Sequence, residues 1–237
     1  MNNNLLALSQ KKGSQKLKSI QKILDEGQNP NIQTKISYYT PLMFACINND
    51  VNLVKLLLKY KADPNIKNSS GSTSFMFACH NGNIEIIKLL LKKYKNINDR
   101  NYVTSFTPLY IAIINPSIDG YNKDITKLLL KSGADPNIKY IDDNTVLMAI
   151  YFNQKNSVDI IKLLLKYGAK INTKNKLGNS ALMISVGLYN NLKTTKLLLK
   201  NGADPNIKNI KGETPLMMAY RKENIKMQKL LLKYGAK

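Results

Sequence analysis

The phrase "LLLKYKADPNIK" occupies Leu56–Lys67 and returns as "LLLKSGADPNIK" at Leu128–Lys139 and "LLLKNGADPNIK" at Leu197–Lys208. A catalytic motif is needed once; a phrase that recurs along a chain is a building unit. The first leucine of each "LLL" falls at Leu56, Leu89, Leu128, Leu163, Leu197 and Leu230, with steps of 33, 39, 35, 34 and 33 residues. A degraded copy, "ILDEGQNPNIQ", sets Leu24 in register with Leu58. About seven units of roughly 34 residues fill the chain, and a period of that length is a solenoid period. It leaves no stretch for a separate catalytic domain.

Each unit repeats one grammar. A turn-rich segment such as Asn68–Ser72 leads into Thr-Pro-Leu at Thr40, Thr107 and Thr214. Threonine caps a helix, and proline fits its first turn, where a missing N–H costs nothing. Small residues follow at one fixed position: Ala45, Ala78, Ala112 and Ala219. A second helix then places Leu53, Leu56 and Leu57 at helical spacing, with Lys55 and Lys59 on the opposite face. It stops at Gly133 or Gly202, where glycine takes the left-handed cap and the nearby proline forbids continuation. One unit cannot bury its own apolar stripe, so its neighbours must. Leu164→Ala, in mid-array, is therefore expected to cost about 2–5 kcal/mol.

Composition excludes several classes. At 43% hydrophobic the chain should fold. No apolar run reaches the length of a membrane-spanning helix. The N-terminus lacks a basic segment ahead of its short apolar patch, so secretion is not expected. The two cysteines, Cys46 and Cys79, make no disulfide framework and suggest a reducing compartment. They share one column of adjacent units, and helices stacked ~8–10 Å apart are too distant for a bridge. There is no glycine-rich phosphate loop, and the lone histidine, His80, has no partner for a triad or a two-histidine metal site. His80 reads as a solvent-facing loop residue. Glu85, Asp124 and Asp159 each precede a lysine by three residues and read as helix salt bridges, not paired catalytic acids. No enzyme and no cofactor are expected.

The motifs "TPLMFA", "KLLLK" and "GADPN", recurring in fixed order, resemble the ankyrin repeat family over residues 5–237. The resemblance implies an all-α ankyrin-repeat solenoid of two antiparallel helices and a β-hairpin finger per unit. It implies one array, 1–237, with an N-terminal cap at 5–34, units at 35–68, 69–101, 102–140, 141–175 and 176–209, and a C-terminal cap at 210–237. The asparagine- and lysine-rich style resembles the ankyrin proteins of giant DNA viruses. Some viral members append a ubiquitin-ligase recruiting segment; none is expected after "LLLKYGAK".

Departures from the family pattern matter. Its histidine after Thr-Pro-Leu is replaced by Met43, Met76, Met148, Met183 and Met217, and by Tyr110, so a gap-filling thioether is expected in most units. Lys61 and Tyr94 replace the cap glycine and should strain those helix ends by roughly 1 kcal/mol each. The third unit has Ser74 for proline and lacks the Ala-Asp-Pro exit, which predicts the weakest joint near residues 92–104. The turns after the inner helices lengthen in the fourth, fifth and sixth units, most of all at Ile114–Asp124.

In the family, partners dock on the finger tips and the inner helix. The matching positions here are Tyr39, Ser72, Phe106, Asn144, Asn179 and Glu213, with the nearby Tyr102, and His80 and Arg221 past the inner helix. Three positions before the first set stand Ile36, Ser69, Val103, Ile141, Lys176 and Ile210. Aromatic anchors dominate interface energetics, which favours Tyr39, Tyr102 and Phe106, unless they pack locally within the fingers. A protein partner bound by a monomer is expected, in the cytoplasm (a host cell's, if viral) or the nucleus.

The net charge is +21, and all but two of the 36 basic residues are lysine. Lysines precede each "LLL" at Lys55, Lys88, Lys127, Lys162, Lys196 and Lys229, and follow it at Lys59, Lys92, Lys131, Lys166, Lys200 and Lys233. A further basic ladder runs along the fingers: Lys67, Arg100, Lys139, Lys174 and Lys208. Such ladders are either a solvated face or, alternatively, an electrostatic surface for nucleic acid or an anionic membrane. The scarcity of arginine and aromatics in them weighs toward solvation.

Overall fold

The structure, a computed structural model, describes residues 3–11, 16–114, 122–150, 157–188 and 190–237. It is helical: α1 (Asn3–Gln10), α2 (Lys16–Asp25), α3 (Pro41–Ile47), α4 (Val51–Lys59), α5 (Ser74–Asn81), α6 (Ile84–Leu91), α7 (Pro108–Ile114), α8 (Asn122–Lys131), α9 (Val146–Ala149), α10 (Ser157–Lys166), α11 (Ala181–Gly187), α12 (Leu192–Lys200), α13 (Pro215–Arg221) and α14 (Ile225–Lys233). The chain divides into two compact units, Met1–Ala112 and Ile113–Lys237. In the first, α1, α3 and α5 stack in one layer and α2, α4 and α6 in another. In the second, α9, α11 and α13 stack beside the layer of α8, α10, α12 and α14. This is the all-α solenoid that the repeated phrase predicts.

The helix starts follow the sequence grammar. Thr40, Thr73, Ser180 and Thr214 accept a hydrogen bond from the backbone N–H three residues on, at 3.2–3.3 Å. Asp50, Asn83, Asn191 and Asn224 cap the second helix of their pairs in the same way. Met43 does more than fill space: its sulfur lies 3.5 Å from the Thr40 N–H and completes a reciprocal cap. Met43, Met76, Met148 and Met183 are all buried, whereas Met217, in the final helix pair, is exposed. Leu164 is fully buried, as its place in the repeat predicts.

Four expectations are corrected. The fingers are not regular β-hairpins: among the described residues the β-pairing is one isolated bridge, Lys67 with Thr73. A finger such as 175–179 closes through one backbone rung, Asn175 N–H to the Asn179 carbonyl at 3.0 Å, and one turn bond, Gly178 N–H to the Asn175 carbonyl at 2.8 Å. The Asn175 side-chain oxygen then takes the N–H groups of Leu177 and Asn179 that a longer ladder would have used. Glu85 and Asp159 do not pair within their own helices; they reach back to the preceding helix, to Lys55 at 2.7 Å and Lys123 at 3.0 Å. His80 lies in the last turn of α5, exposed, and not in a loop.

The fourth correction concerns the two unusual helix exits. Lys61 does adopt the strained left-handed conformation, at φ 64°. Tyr94 does not. Its ring turns inward and stacks on Phe75 at 4.3 Å, so the exit near residues 92–104 has contacts of its own in place of the lost proline and glycine. Cys46 and Cys79 are buried and unbridged, and burial pushes both thiols far up. The lengthened turns fall largely on residues 115–121, 151–156 and 189, outside the described residues. Among the described residues no helix is long and apolar enough to cross a membrane.

Candidate functional site: fingers and inner helices

In Met1–Ala112 the inner layer carries aromatic side chains. The Tyr39 ring lies 5.4 Å from Phe44 on α3 and 5.6 Å from Phe77 on α5, and all three are half-buried. Phe106 sits 4.1 Å from Tyr110 at the start of α7. Tyr39 and Phe106 are thus packed locally while keeping part of their surface in solvent. Tyr102 is more exposed, at 67%. Its ring lies against Gly71, where an added Cβ would come within 2.6 Å of a ring carbon. Lys67 stands 5.4 Å above that ring and pairs with Asp99 at 3.3 Å.

The fingers of this unit are tied edge to edge by single backbone bonds: Ser69 N–H to the Ser37 carbonyl, and Tyr102 N–H to the Ser70 carbonyl at 2.8 Å. Ser72 belongs to this scaffold, with its N–H on the Asn68 side chain at 2.8 Å. Ile36, Tyr38, Tyr102 and Val103 project from the fingers into solvent.

In Ile113–Lys237 the corresponding positions are polar and mostly engaged. The Asn144 oxygen accepts from the Asn175 amide at 2.9 Å, and the Asn179 oxygen from the Asn209 amide at 3.2 Å. Glu213 takes a second Asn209 bond at 2.9 Å and an ion pair from Arg221; those two partners hold its carboxyl below the usual carboxylate range. Asn144, Asn179, Glu213 and Arg221 therefore brace one finger against the next or against its own helix. Ile141, Leu177 and Ile210 are the exposed apolar tips.

The finger ladder is uneven. Lys67 and Lys139 are paired with Asp99 and Asp143, while Arg100, Lys174 and Lys208 are exposed. Among the described residues, no group of three or more His, Cys, Asp or Glu could hold a metal ion.

Two features escaped the sequence reading. Phe44 and Phe77 occupy the same variable position of adjacent units, and that recurrence was the available signal. The asparagine of "PNIK" is an inter-unit staple. Asn65 donates to the Lys93 carbonyl at 3.1 Å and accepts from the Lys95 N–H at 2.9 Å. Asn137, Asn172 and Asn206 repeat this on Gly168 and Lys170, Gly202 and Asp204, and Gly235 and Lys237.

Stacked helix pairs with stapled exits and projecting fingers define a repeat scaffold whose variable surface lies on the fingers and inner helices. The chain belongs to the ankyrin repeat family: the family profile "Ankyrin repeats (3 copies)" matches residues 6–101, 60–140, 117–209 and 146–237. It is similar to ankyrin repeat protein L371 of Acanthamoeba polyphaga mimivirus, at 27% identity over 68% of this chain. The chain spans 19% of that relative's length. Among solved structures it resembles the ankyrin repeat domain of Bcl-3, of the IkappaB family, at 26% identity, 96% coverage of both chains and a TM-score of 0.77. It also resembles a chain in the complex of the predatory endopeptidase Bd0816 of Bdellovibrio bacteriovorus with the immunity protein Bd3460. That match has 30% identity, covers 85% of this chain and 99% of that one, and has a TM-score of 0.70.

Proposed function

We propose that this chain is a non-enzymatic binding scaffold that holds a protein partner across its fingers and inner helices, as one array of the seven units set out above. The observation that carries the reading is where the apolar surface lies. Among the described residues thirteen large apolar side chains stand exposed, and seven of them are on fingers: Ile36, Tyr38, Tyr102, Val103, Ile141, Leu177 and Ile210. Apolar surface left in water at one recurrent place marks an interaction site. The fingers are held by backbone bonds and asparagine side chains before any partner arrives, which lowers the ordering cost of binding. A similar chain found in the complex of an endopeptidase with an immunity protein supports a protein partner. The mimivirus relative supports a host protein as that partner, met in the host cytoplasm.

The test is capture from host-cell lysate at ~200 mM salt, where exposed electrostatic contacts are screened, with Val103→Asp/Ile210→Asp as comparison. Both positions are exposed, so the thermal melt should not move. A stoichiometric protein retained by the wild type and lost by the variant is expected. Equal retention by both, or no salt-resistant protein at all, overturns the reading.

A further inference from the structure

We infer that the outer helices of Ile113–Lys237 form a second, independent binding face that takes the phosphate backbone of duplex nucleic acid without regard to base sequence. Helices α8, α10, α12 and α14 carry eleven lysines and two aspartates, and every one of those lysines is exposed. One aspartate, Asp159, is already held by Lys123 at 3.0 Å. That bond first, and the charges of Lys162 and Lys193 less, keep its carboxyl below the usual range. Little negative charge is left to balance the face. In the first unit the outer helices α2, α4 and α6 carry six lysines against two acidic residues, one of which, Glu85, pairs with Lys55 as Asp159 pairs with Lys123.

The arrangement is a grid. α8 packs on α10, α10 on α12 and α12 on α14. Each helix carries one lysine before and one after its "LLL", four residues apart, hence about 6 Å apart on one face. Neighbouring helices add rows at roughly 8–10 Å. Like charges at that spacing destabilise a helix, and on these helices two aspartates among eleven lysines offset them only in part. A regular polyanion would offset the rest. Duplex DNA presents one charge per ~1.7 Å of axis and releases its counterions when lysines replace them.

The side-chain chemistry selects the mode. Lysine acts as a point charge and not as a bidentate fork, and α8, α10, α12 and α14 themselves contain no aromatic residue, so base readout is not provided for. Nor is membrane insertion: α8, α10 and α12 expose no large apolar side chain, and only Ile225 and Leu232 on α14 do so.

The experiment measures binding of a labelled random duplex of about 20 base pairs between ~50 and 200 mM salt. The variant is Lys131→Gln/Lys166→Gln/Lys200→Gln/Lys233→Gln. The charge-matched control is Lys174→Gln/Lys176→Gln/Lys208→Gln/Lys211→Gln on the fingers. The wild type should bind, with affinity falling steeply as salt rises and equal for AT-rich and GC-rich duplexes. The grid variant should bind at least about tenfold more weakly, with a salt slope shallower by roughly 2–4, because fewer counterions leave the duplex. The finger control should stay near wild type. Absence of binding at the lowest salt, equal losses in both variants, a marked base preference, or tighter binding to phosphatidylserine vesicles than to the duplex each overturns the inference. Loss of duplex binding leaves the protein-capture result untouched, so the two readings fail separately.

Discussion

After α12 the chain reads Asn201-Gly202-Ala203, and Gly202 enters the left-handed region at φ 87° while the Ala203 N–H returns to the Leu198 carbonyl at 3.1 Å. After α6 it reads Lys92-Lys93-Tyr94, and no residue from 92 to 104 takes a positive φ. There Tyr94 stacks on Phe75, shares a hydrogen bond with the Thr73 hydroxyl at 3.0 Å and donates to Asp99 at 3.3 Å. Asp99 in turn holds Lys67. The first exit is a local solution, complete within five residues of backbone. The second is a tertiary one, complete only when the preceding finger and inner helix are in place. A repeat can lose its glycine-proline punctuation and remain joined if one aromatic side chain replaces a backbone cap.

The sharpest way to break this comparison is to change the one residue on which each exit depends. Tyr94→Ala deletes a half-buried ring and two hydrogen bonds and is expected to cost about 2–4 kcal/mol. Gly202→Ala introduces a Cβ at a left-handed position with open space around it, and is expected to cost about 1 kcal/mol. Urea unfolding followed by circular dichroism reads both. Comparable costs would mean that the tyrosine does not replace the cap.

Below that lies a feature the exits share. Asn65 staples the α6 exit at Lys93 and Lys95, and Asn172 staples the α12 exit at Gly202 and Asp204. Both staples read backbone groups, so Asn65→Ala and Asn172→Ala should each cost about 1–2 kcal/mol. Hydrogen exchange should show the Lys95 and Asp204 amides losing protection in the matching variant. If only one exit loosens, the staple depends on the exit's chemistry after all.

How far the sequence disclosed all this depends on the distance over which each interaction acts. The helix caps at Thr40, Thr107 and Thr214 were legible, because a cap and its N–H lie three residues apart. The exposed lysines beside each "LLL" were legible, because helical period fixes their face. The partners of Asn65 and Glu85 were not, because each lies in another unit, about one repeat period away; nor was the stack of Tyr94 on Phe75, whose rings lie on separate elements of one unit. A carboxylate three residues before a lysine satisfies the in-helix rule on paper, yet Lys55 meets Glu85 from the neighbouring helix. The candidate site divided in the same way. Tyr39 and Phe106 were placed by their offset from Thr-Pro-Leu, but nothing local in the sequence shows that Asn144 and Asn179 are consumed by bonds to the next finger.

A smaller effect separates Lys61 from both exits. It keeps the left-handed geometry of Gly202 without the glycine. Lys61→Gly is therefore expected to stabilise by about 0.5–1 kcal/mol in urea, where Tyr94→Gly would destabilise. A loss at Lys61 would mean that the side chain's own contacts outweigh its backbone strain.

The finest distinction is one of pH. In the unfolded chain the Tyr94 phenol ionises near pH 10. In the folded chain burial first, and the Asp99 charge in addition, hold its proton well past that. The unfolded state then releases a proton that the folded state keeps, so the Tyr94 contribution to stability is flat below about pH 10 and falls as pH rises beyond it. Cys46 and Cys79, both raised by burial, act in the same direction from the lower thiol range. Tyr94→Phe keeps the stack on Phe75 and both thiols but has no phenol to ionise. Its urea midpoint should therefore track the wild type through the thiol range and hold up better above about pH 10. Gly202→Ala, which touches no titrating group, should stay a constant distance from the wild type throughout. Identical alkaline curves for the wild type and Tyr94→Phe would mean that the phenol is hydrated in the folded state, and the α6 exit would then owe its hold to the ring stack on Phe75 and to Asn65.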